Sequence, residues 1–411
     1  MHIGAVADDF TGATDLATTL QARGMRAAVV VADRPVDAAE LEHLDAVVVA
    51  LKSRTAPVAE AVADSIAALE RVLGWGADRV FVKYCSTFDS TDEGNIGPVL
   101  DAVRDRLGVD RTVVVPSFPA NGRTVEGGEL RVHGALLEES PMRHHPLTPM
   151  TRSRVRDLLQ PQTPTPVDEI GLDVVREGAD ALRAAIDAAR PGYLVVDAVT
   201  DGDVRTIAEA TEHLRLLSGG AALGAGIDAT GGHGATPLPT STSGRLVVAG
   251  SASEATRGQV AAAVAAGHAT LRVDVDAALA DADAEAERIA AWVRSLDAAS
   301  LPVVYSVGDL ADVRDDAGGA AAAAVEQVLA GLVARLVRAG DVDRVVVAGG
   351  ETSGAVVQAL EVGLLRIGPQ LAPGVCWSGV TTPEGRDVAI VLKSGNFGAP
   401  DLFSTAWEAL A

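Results

Sequence analysis

Cysteine is nearly absent from this sequence. The two that occur, Cys85 and Cys376, are too few for a disulfide scaffold and suit a reducing cytoplasm, the location expected for the chain. Basic charge is also short: 34 Lys and Arg against 56 Asp and Glu leave a formal net charge of -22. Nucleic acid and anionic membrane both need a basic face, so neither is expected as a partner, and any anion site must be built locally. The opening "MHIGAVADDFTG" has no basic stretch followed by an apolar run, so no signal peptide is visible. No apolar run of the roughly 20 residues that cross a bilayer stands out. The G-x-x-x-x-G-K-[ST] of a P-loop is missing, as is a G-x-G-x-x-G with an acidic residue following at the dinucleotide spacing. Neither H-x-x-x-H nor C-x-x-C offers a metal site. His144 and His145 precede Pro146 in what reads as a surface loop.

Lysine is the scarcest charge. Of the 34 basic residues only Lys52, Lys83 and Lys393 are lysine. Lysine is a compact point charge and arginine a planar fork, so the two do not exchange freely at a tight site. All three lie beside a strand-like run with polar loop residues.

What is present is ample for a packed core. The chain has 411 residues, 48% hydrophobic and 22% charged, which points to two globular domains. Val-rich runs alternate with amphipathic helical patterns: "HIGAVA", "MRAAVVVA", "LDAVVVAL", "DRVFVKY" and "RTVVVPSF" in the first half. "GRLVVAGSAS", "LRVDVD", "PVVYSV", "DRVVVAGGETSG" and "VAIVLKSGNFG" follow in the second. Continuous apolar strands between helices predict an α/β fold of two domains, each with a mostly parallel sheet flanked by helices. The Pro/Ser/Thr/Gly-rich stretch 234–244 reads as a linker between a first domain, 1–233, and a second, 245–411. The proline-rich segment Thr148–Pro166 reads as an irregular loop inside the first domain.

Ligands in open α/β sheets bind beyond the carboxyl ends of strands. Those ends are rich here in Gly, Asp and hydroxyls. "VADDFTGATD" places Asp8 and Asp9 after the first strand, with Gly12 opening a helix and Asp15 on its first turn. Capping explains one carboxylate there more readily than two. "VVVAGGETSG" turns at Gly349 and Gly350 into a helix near Thr352, so backbone amides and the helix dipole converge on an anion. Ser251 and Ser253 occupy a second such junction. Lys393, Ser394 and Gly395 end a third strand.

Long motifs in order resemble the four-carbon acid sugar kinases: "ADDFTGATDLA", "LKSR", "KYCSTFDSTDEGNIGP", "PANGRT", "HPLTPM", "GGETSG", "IGPQLAPGVCW" and "LKSGNFG". The resemblance spans nearly the whole chain and departs from the family at Gln370 and Cys376. It implies a sugar-acid-binding domain followed by a nucleotide-binding domain, with ATP and Mg²⁺ as cofactors and no metal ligands identified. "KYCSTFDST" is most similar to the 3-oxo-tetronate kinase branch, which implies transfer to the 4-hydroxyl of a 3-dehydro-tetronate. A D-threonate or D-erythronate kinase is the alternative, and a non-catalytic sugar-acid and nucleotide sensor the next. An NAD-dependent dehydrogenase is disfavoured by the missing fingerprint. By the same resemblance, ATP phosphates meet Ser251 or Ser253, the run Gly349, Gly350, Glu351, Thr352, Ser353, and Lys393, Ser394 and Gly395. The sugar acid, with its carboxylate, ketone and hydroxyls, needs cations and small donors. Lys83, Ser86, Thr87, Asp89 and Ser90 supply them, with Asp8, Asp9, Lys52, Arg54, Asn121 and Arg123. Asp9 or Asp8 is the expected base; Arg123 and Lys83 are the expected holders of the carboxylate. Cys85 is expected to pack rather than react. With the sites on different domains, a closing motion is expected. Oligomeric state is left open, a homodimer being one admissible form.

Overall fold

The computed structural model of the chain describes residues 1–32, 34–144, 148–228, 238, 243–312, 319–372 and 374–410. The chain divides into two compact units, Met1–Ala32 with Val36–Gly234, and Asp33–Pro35 with Ala235–Ala411. His145, Pro146 and Leu147, and the predicted linker apart from Leu238, Ser243 and Gly244, lie outside the described residues.

In the first unit the sheet strands are β1 (Ile3–Ala7), β2 (Ala27–Val31), β3 (Ala46–Ala50), β4 (Arg79–Lys83) and β5 (Arg111–Val115). A hairpin follows, β6 (Arg123–Glu126), β7 (Glu129–Val132) and β8 (Ala135–Leu136), then β9 (Val167–Ile170), β10 (Gly192–Val196) and β11 (Leu216–Gly219). The main sheet runs β2-β3-β1-β4-β11-β5-β10-β9, every pairing parallel. Helices α1 (Phe10–Ala22), α2 (Val58–Gly74), α3 (Ile96–Leu107), α4 (Val155–Leu159), α5 (Leu172–Arg176), α6 (Ala179–Ala188) and α7 (Asp201–Ala210) connect them. Strands such as β3, "AVVVA", are buried along their whole length because helices cover both faces. Helix α2 buries Ala61, Ser65, Ala68, Leu69 and Val72, one stripe at helical spacing.

The second unit holds β12 (Gly244–Ala249), α8 (Glu254–Ala265), β13 (Ala269–Arg272), α9 (Val275–Ala280), α10 (Ala282–Ser295) and β14 (Pro302–Tyr305). It continues with α11 (Ala320–Ala339), β15 (Val342–Ala348), α12 (Gly350–Ala359), β16 (Leu364–Ala372), β17 (Val375–Thr381), β18 (Asp387–Lys393) and α13 (Leu402–Thr405). Its strand order is β13-β14-β12-β15-β18-β17-β16. The first five strands are parallel, and β17 and β16 add antiparallel. Trp377 and Trp407 pack in its core, ring centroids 5.5 Å apart.

Three details differ from expectation. The strand expected at "LRVDVD" ends at Arg272, because Asp274 caps α9 by accepting from the amides of Asp276 and Ala277. The segment Thr148–Pro166 is not wholly irregular: it carries α4 and the buried Gln162. Against the expectation that no run is long and apolar enough, helix α11 has the 20 residues and the apolar composition that could cross a bilayer. More than half of its most apolar window is buried against its own unit, as in a core helix.

Candidate active site

In unit 1 the adjacent strands β1 and β4 end in register, Ala7 beside Lys83. The Asp8 amide donates to the Lys83 carbonyl at 3.1 Å, while the Asp8 carbonyl receives the amides of Ser53 and Arg54 at 3.0 and 3.2 Å. Three loops thus meet at one residue. Arg54 grips Asp8 with two hydrogen bonds, Nε to Oδ2 at 2.8 Å and Nη2 to Oδ1 at 2.9 Å. Its Nη2 also lies 2.8 Å from Asp9 Oδ1. Asp9 caps α1, its Oδ1 accepting from the Gly12 amide at 2.8 Å. Asp9 Oδ2 has no hydrogen-bond partner among the described residues. Burial raises the Asp9 carboxyl above its ordinary range, against the downward pull of Arg54.

Lys83 is buried, and its ammonium donates to the Tyr84 carbonyl at 2.8 Å, its one hydrogen bond to the described residues. An ammonium carries three donors, so two remain for a ligand. Gly12 makes this possible: a Cβ there would stand 2.4 Å from Asp9 Oδ1 and 2.9 Å from Lys83 Nζ. Asp15 lies on the second turn of α1, not the first, since the helix starts at Phe10. Its carboxyl is pushed up to about 6 by burial, with Lys83 pulling down and Asp9 pushing up.

The loop after β4 is held from several sides. Phe88 stands at φ +52 and packs edge-on against Tyr84, centroids 5.3 Å apart. A bulky residue in the left-handed region marks a conformation imposed by its surroundings. Cys85 Sγ lies 2.9 Å from Thr87 Oγ1, and burial pushes the thiol up to about 11, which fits a packing role. Ser90 Oγ receives Gln162 Nε2 at 3.0 Å, and Gln162 Oε1 receives the Gly97 amide at 3.0 Å. Asn95 Nδ2 donates to the carbonyls of Ser53 and Ala56 at 2.7 and 3.2 Å, fixing the turn that carries Arg54. Asp89 Oδ1 and Arg123 Nε are buried and have no partner among the described residues. Such atoms are costly unless a ligand or water completes them. Ser86 is half-buried in this loop, and Asn121 lends its carbonyl to Arg123 Nη1. Lys52 stands exposed and is not drawn into the cluster; Arg54, two residues on, takes that place.

In unit 2 the ends of β12, β15 and β18 lie side by side, Ala249 beside Ala348 and Ala348 beside Lys393. Lys393 is buried, yet its ammonium is fully occupied: Thr256 Oγ1 at 3.0 Å, the Ser394 carbonyl at 3.0 Å and the Gly395 carbonyl at 3.1 Å. The Gly395 carbonyl also receives Ser253 Oγ at 2.6 Å and Thr256 Oγ1 at 2.8 Å. Lys393 therefore braces the loop from behind rather than facing a ligand. Burial lowers its amine to about 8. Ser253 doubles as the cap of α8, its Oγ accepting from the Thr256 amide. Ser251 Oγ accepts only the Ser253 amide, at 3.2 Å, so its own proton remains for a ligand. A Cβ on Gly395 would lie 2.1 Å from Ser251 Oγ, so the loop closes only with glycine there. Helix α12 opens with Gly350, exposed Glu351 and buried Thr352 and Ser353; Ser353 Oγ has no partner among the described residues. Ser394 is half-buried beside them.

Among the described residues no cluster of three or more His, Cys, Asp or Glu could hold a metal ion. Nothing in the sequence alone marks Asn95, Gln162, Asp15 and Thr256 as site residues. Asn95 sits inside the "DEGNIGP" motif, and the sequence marks Asp15 only by its place on the helix. Gln162 gave no local signal, since its partners are 72 and 65 positions away.

A unit with an ion-paired, hydroxyl-rich strand end, followed by one with a glycine-lined cradle at its strand ends, suits the class of two-domain kinases that act on small polar acids. Models of a sugar-binding N-terminal domain and a nucleotide-binding C-terminal domain match residues 3–227 and 246–403. The chain is 43% identical to a 3-oxo-tetronate kinase of Pseudomonas fluorescens, over 100% of this chain and 97% of the relative. It is also 43% identical to one of Cupriavidus necator, over 99% and 97%. A crystal structure from Salmonella typhimurium, described as a candidate tRNA synthase, matches with a TM-score of 0.90 and 39% identity over 98% of each chain. The chain belongs to the four-carbon acid sugar kinase family.

Proposed function

We propose that this protein uses ATP to phosphorylate the 4-hydroxyl of a 3-oxo-tetronate. It is a carbohydrate kinase, a transferase acting on a sugar acid. The full-length similarity to 3-oxo-tetronate kinases carries the reading. The unused hydrogen-bonding capacity of Lys83, Asp89 and Arg123 supports the residue roles.

In this reading Lys83 and Arg123 hold the substrate carboxylate through charge-assisted bonds. Asp89, Thr87 and Ser86 meet its ketone and hydroxyls. Asp9 is the base: its Oδ2 is open and burial raises its proton affinity, whereas both Asp8 oxygens are bound to Arg54. Asp8 and Arg54 form the frame that orients it. In unit 2 the phosphates lie on Ser251, Ser353 and the amides that open α12, with Gly395 leaving them room. Ser253 and Lys393 hold this surface in shape. Mg²⁺ carried on the nucleotide phosphates would neutralise their charge, and among the described residues no cluster of three or more His, Cys, Asp or Glu forms a separate metal cage. The chain divides functionally as 1–233, linker 234–244 and 245–411, in keeping with the spans of the two family models. A net charge of -22 speaks against tRNA as a substrate, and the cytoplasm is the compartment we assign.

Coupled-assay ATP consumption with 3-oxo-tetronates, D-threonate and D-erythronate tests the activity. Turnover with the 3-oxo acids well above the others is expected. Preference for D-threonate or D-erythronate would reassign the substrate, and binding without turnover would leave a sensor. A chain beginning at Ser243 tests the division: it should give a helical circular dichroism spectrum and retain weak ATP binding.

A further inference from the structure

Asp15 is the one ionisable side chain within α1, and the account above gives it no task. It follows Gly12 by three positions, so the two lie on one face of the helix. Helical side chains lean toward the N-terminus, which carries the Asp15 carboxylate back over Gly12. The Lys83 ammonium sits there: a Cβ on Gly12 would stand 2.9 Å from Lys83 Nζ. The charges of Lys83 and Asp9 both reach the Asp15 carboxyl, in keeping with this placement. The Asp15 carbonyl receives Thr19 Oγ1 at 2.8 Å, but the carboxylate has no hydrogen bond among the described residues. Asp15 is only half-buried, so a ligand can reach it. Lys83 donates to the Tyr84 carbonyl and not to Asp15. An open donor and an open acceptor therefore stand side by side.

We propose that Asp15 is a specificity-determining residue that accepts the hydroxyl next to the substrate carboxylate, while Lys83 holds the carboxylate itself. The inference rests on the sugar-acid reading of this unit. A carboxylate only accepts, so Asp15 takes a hydroxyl and not the ketone. The 4-hydroxyl belongs to Asp9 in the transfer, which leaves the hydroxyl on carbon 2. In a 2-hydroxy acid that hydroxyl and the carboxylate sit on adjacent carbons. A neighbouring acceptor and donor can take both at once. The Asp15 carboxyl, pushed up to about 6 by burial, is ionised at neutral pH, so its bond to a hydroxyl is charge-assisted and strong. Asp8 cannot serve in its place, because Arg54 holds both of its oxygens.

Steady-state kinetics with a 3-oxo-tetronate and its 2-deoxy analogue, 4-hydroxy-3-oxobutanoate, provide the test. The natural protein should favour the hydroxy acid about 10- to 100-fold in kcat/KM, the discrimination that one charge-assisted hydrogen bond gives. In Asp15→Ala the preference should fall below about threefold, because the hydroxy acid loses its partner and the analogue no longer strands a carboxylate. Asp15→Asn keeps the shape and one oxygen acceptor but not the charge, and should fall between the two. KM for ATP should stay unchanged in both variants, and melting curves should show both folded. The isosteric asparagine variant decides the matter if the alanine variant melts early. Equal losses on both acids would mean that Asp15 only balances the Lys83 charge, and would overturn the proposal. A natural protein that takes the two acids equally well would overturn it too, with the kinase reading intact. Phosphorylation of neither acid would overturn the substrate reading, and the Asp15 assignment with it.

Discussion

Lys83 and Lys393 occupy equivalent places, each the last residue of a buried parallel strand and each nearly sealed from solvent. Their surroundings make them opposites. Lys83 gives one proton to a carbonyl of its own loop and keeps two, with Asp9 and Asp15 balancing its charge. Lys393 gives all three to the protein, has no carboxylate beside it, and has its proton affinity lowered by burial alone. The same contrast runs through the two units. The candidate site of the first is built from charges in ion pairs, and that of the second from hydroxyls, amides and missing side chains. A sugar acid offers one carboxylate and several small dipoles, which suits paired charges. A polyphosphate in a protein of net charge -22 suits convergent neutral donors.

The sharpest way to break this comparison is at the open carboxylate. Asp9→Asn keeps a good helix cap but removes the carboxylate proposed as the base. It should lower kcat on the order of 1,000-fold with little change in melting temperature. A loss below about tenfold would move the base elsewhere.

Next come the lysines themselves. Lys83→Arg keeps charge but not shape, and losing a charge-assisted contact costs about 2–3 kcal/mol. Steady-state kinetics should show kcat/KM for the sugar acid down about 30- to 150-fold, with ATP affinity steady. Lys393→Arg should do the reverse, weakening ATP about tenfold through a displaced Gly395 loop and sparing the acid. If both variants fail on the same ligand, the division of labour is wrong. Arg205→Lys, at an exposed position, is the control and should be neutral.

A smaller effect is expected at the cradle. Gly350→Asp sets a carboxylate where phosphate arrives and should weaken ATP about tenfold, or 1.4 kcal/mol. Sugar-acid binding, read by calorimetry without nucleotide, should not move.

The mildest test is pH. Below pH 8 the Lys393 amine is charged in folded and unfolded chains alike, and its burial opposes folding. Between about 8 and the ordinary 10.5 the folded chain releases the proton first, so this group's contribution to stability rises with pH. Nucleotide binding should change in the other direction, a few-fold weaker above pH 8 as the local positive charge fades. Lys393→Met should flatten both trends. A natural protein whose ATP affinity is constant from pH 7 to 9.5 would mean that the amine's charge does not reach the ligand.

The sequence by itself determined the layered architecture, because uninterrupted Val-rich strands between amphipathic helices can be buried only in parallel sheets covered on both faces. It also determined the candidate loops, since Gly, Asp and hydroxyls gathered at strand ends in "ADDFTG", "GGETSG" and "LKSGNFG". The antiparallel addition of β16 and β17 escaped it, as a buried strand run carries no mark of direction. Only the tertiary structure decided which polar groups are free. That Arg54 holds Asp8 and leaves Asp9 open, that Gln162 reaches back 72 positions to Ser90, and that Lys393 is saturated while Lys83 is not, all depend on distant partners. Residue type fixes how many hydrogen bonds a side chain can make; the fold fixes how many remain for a ligand.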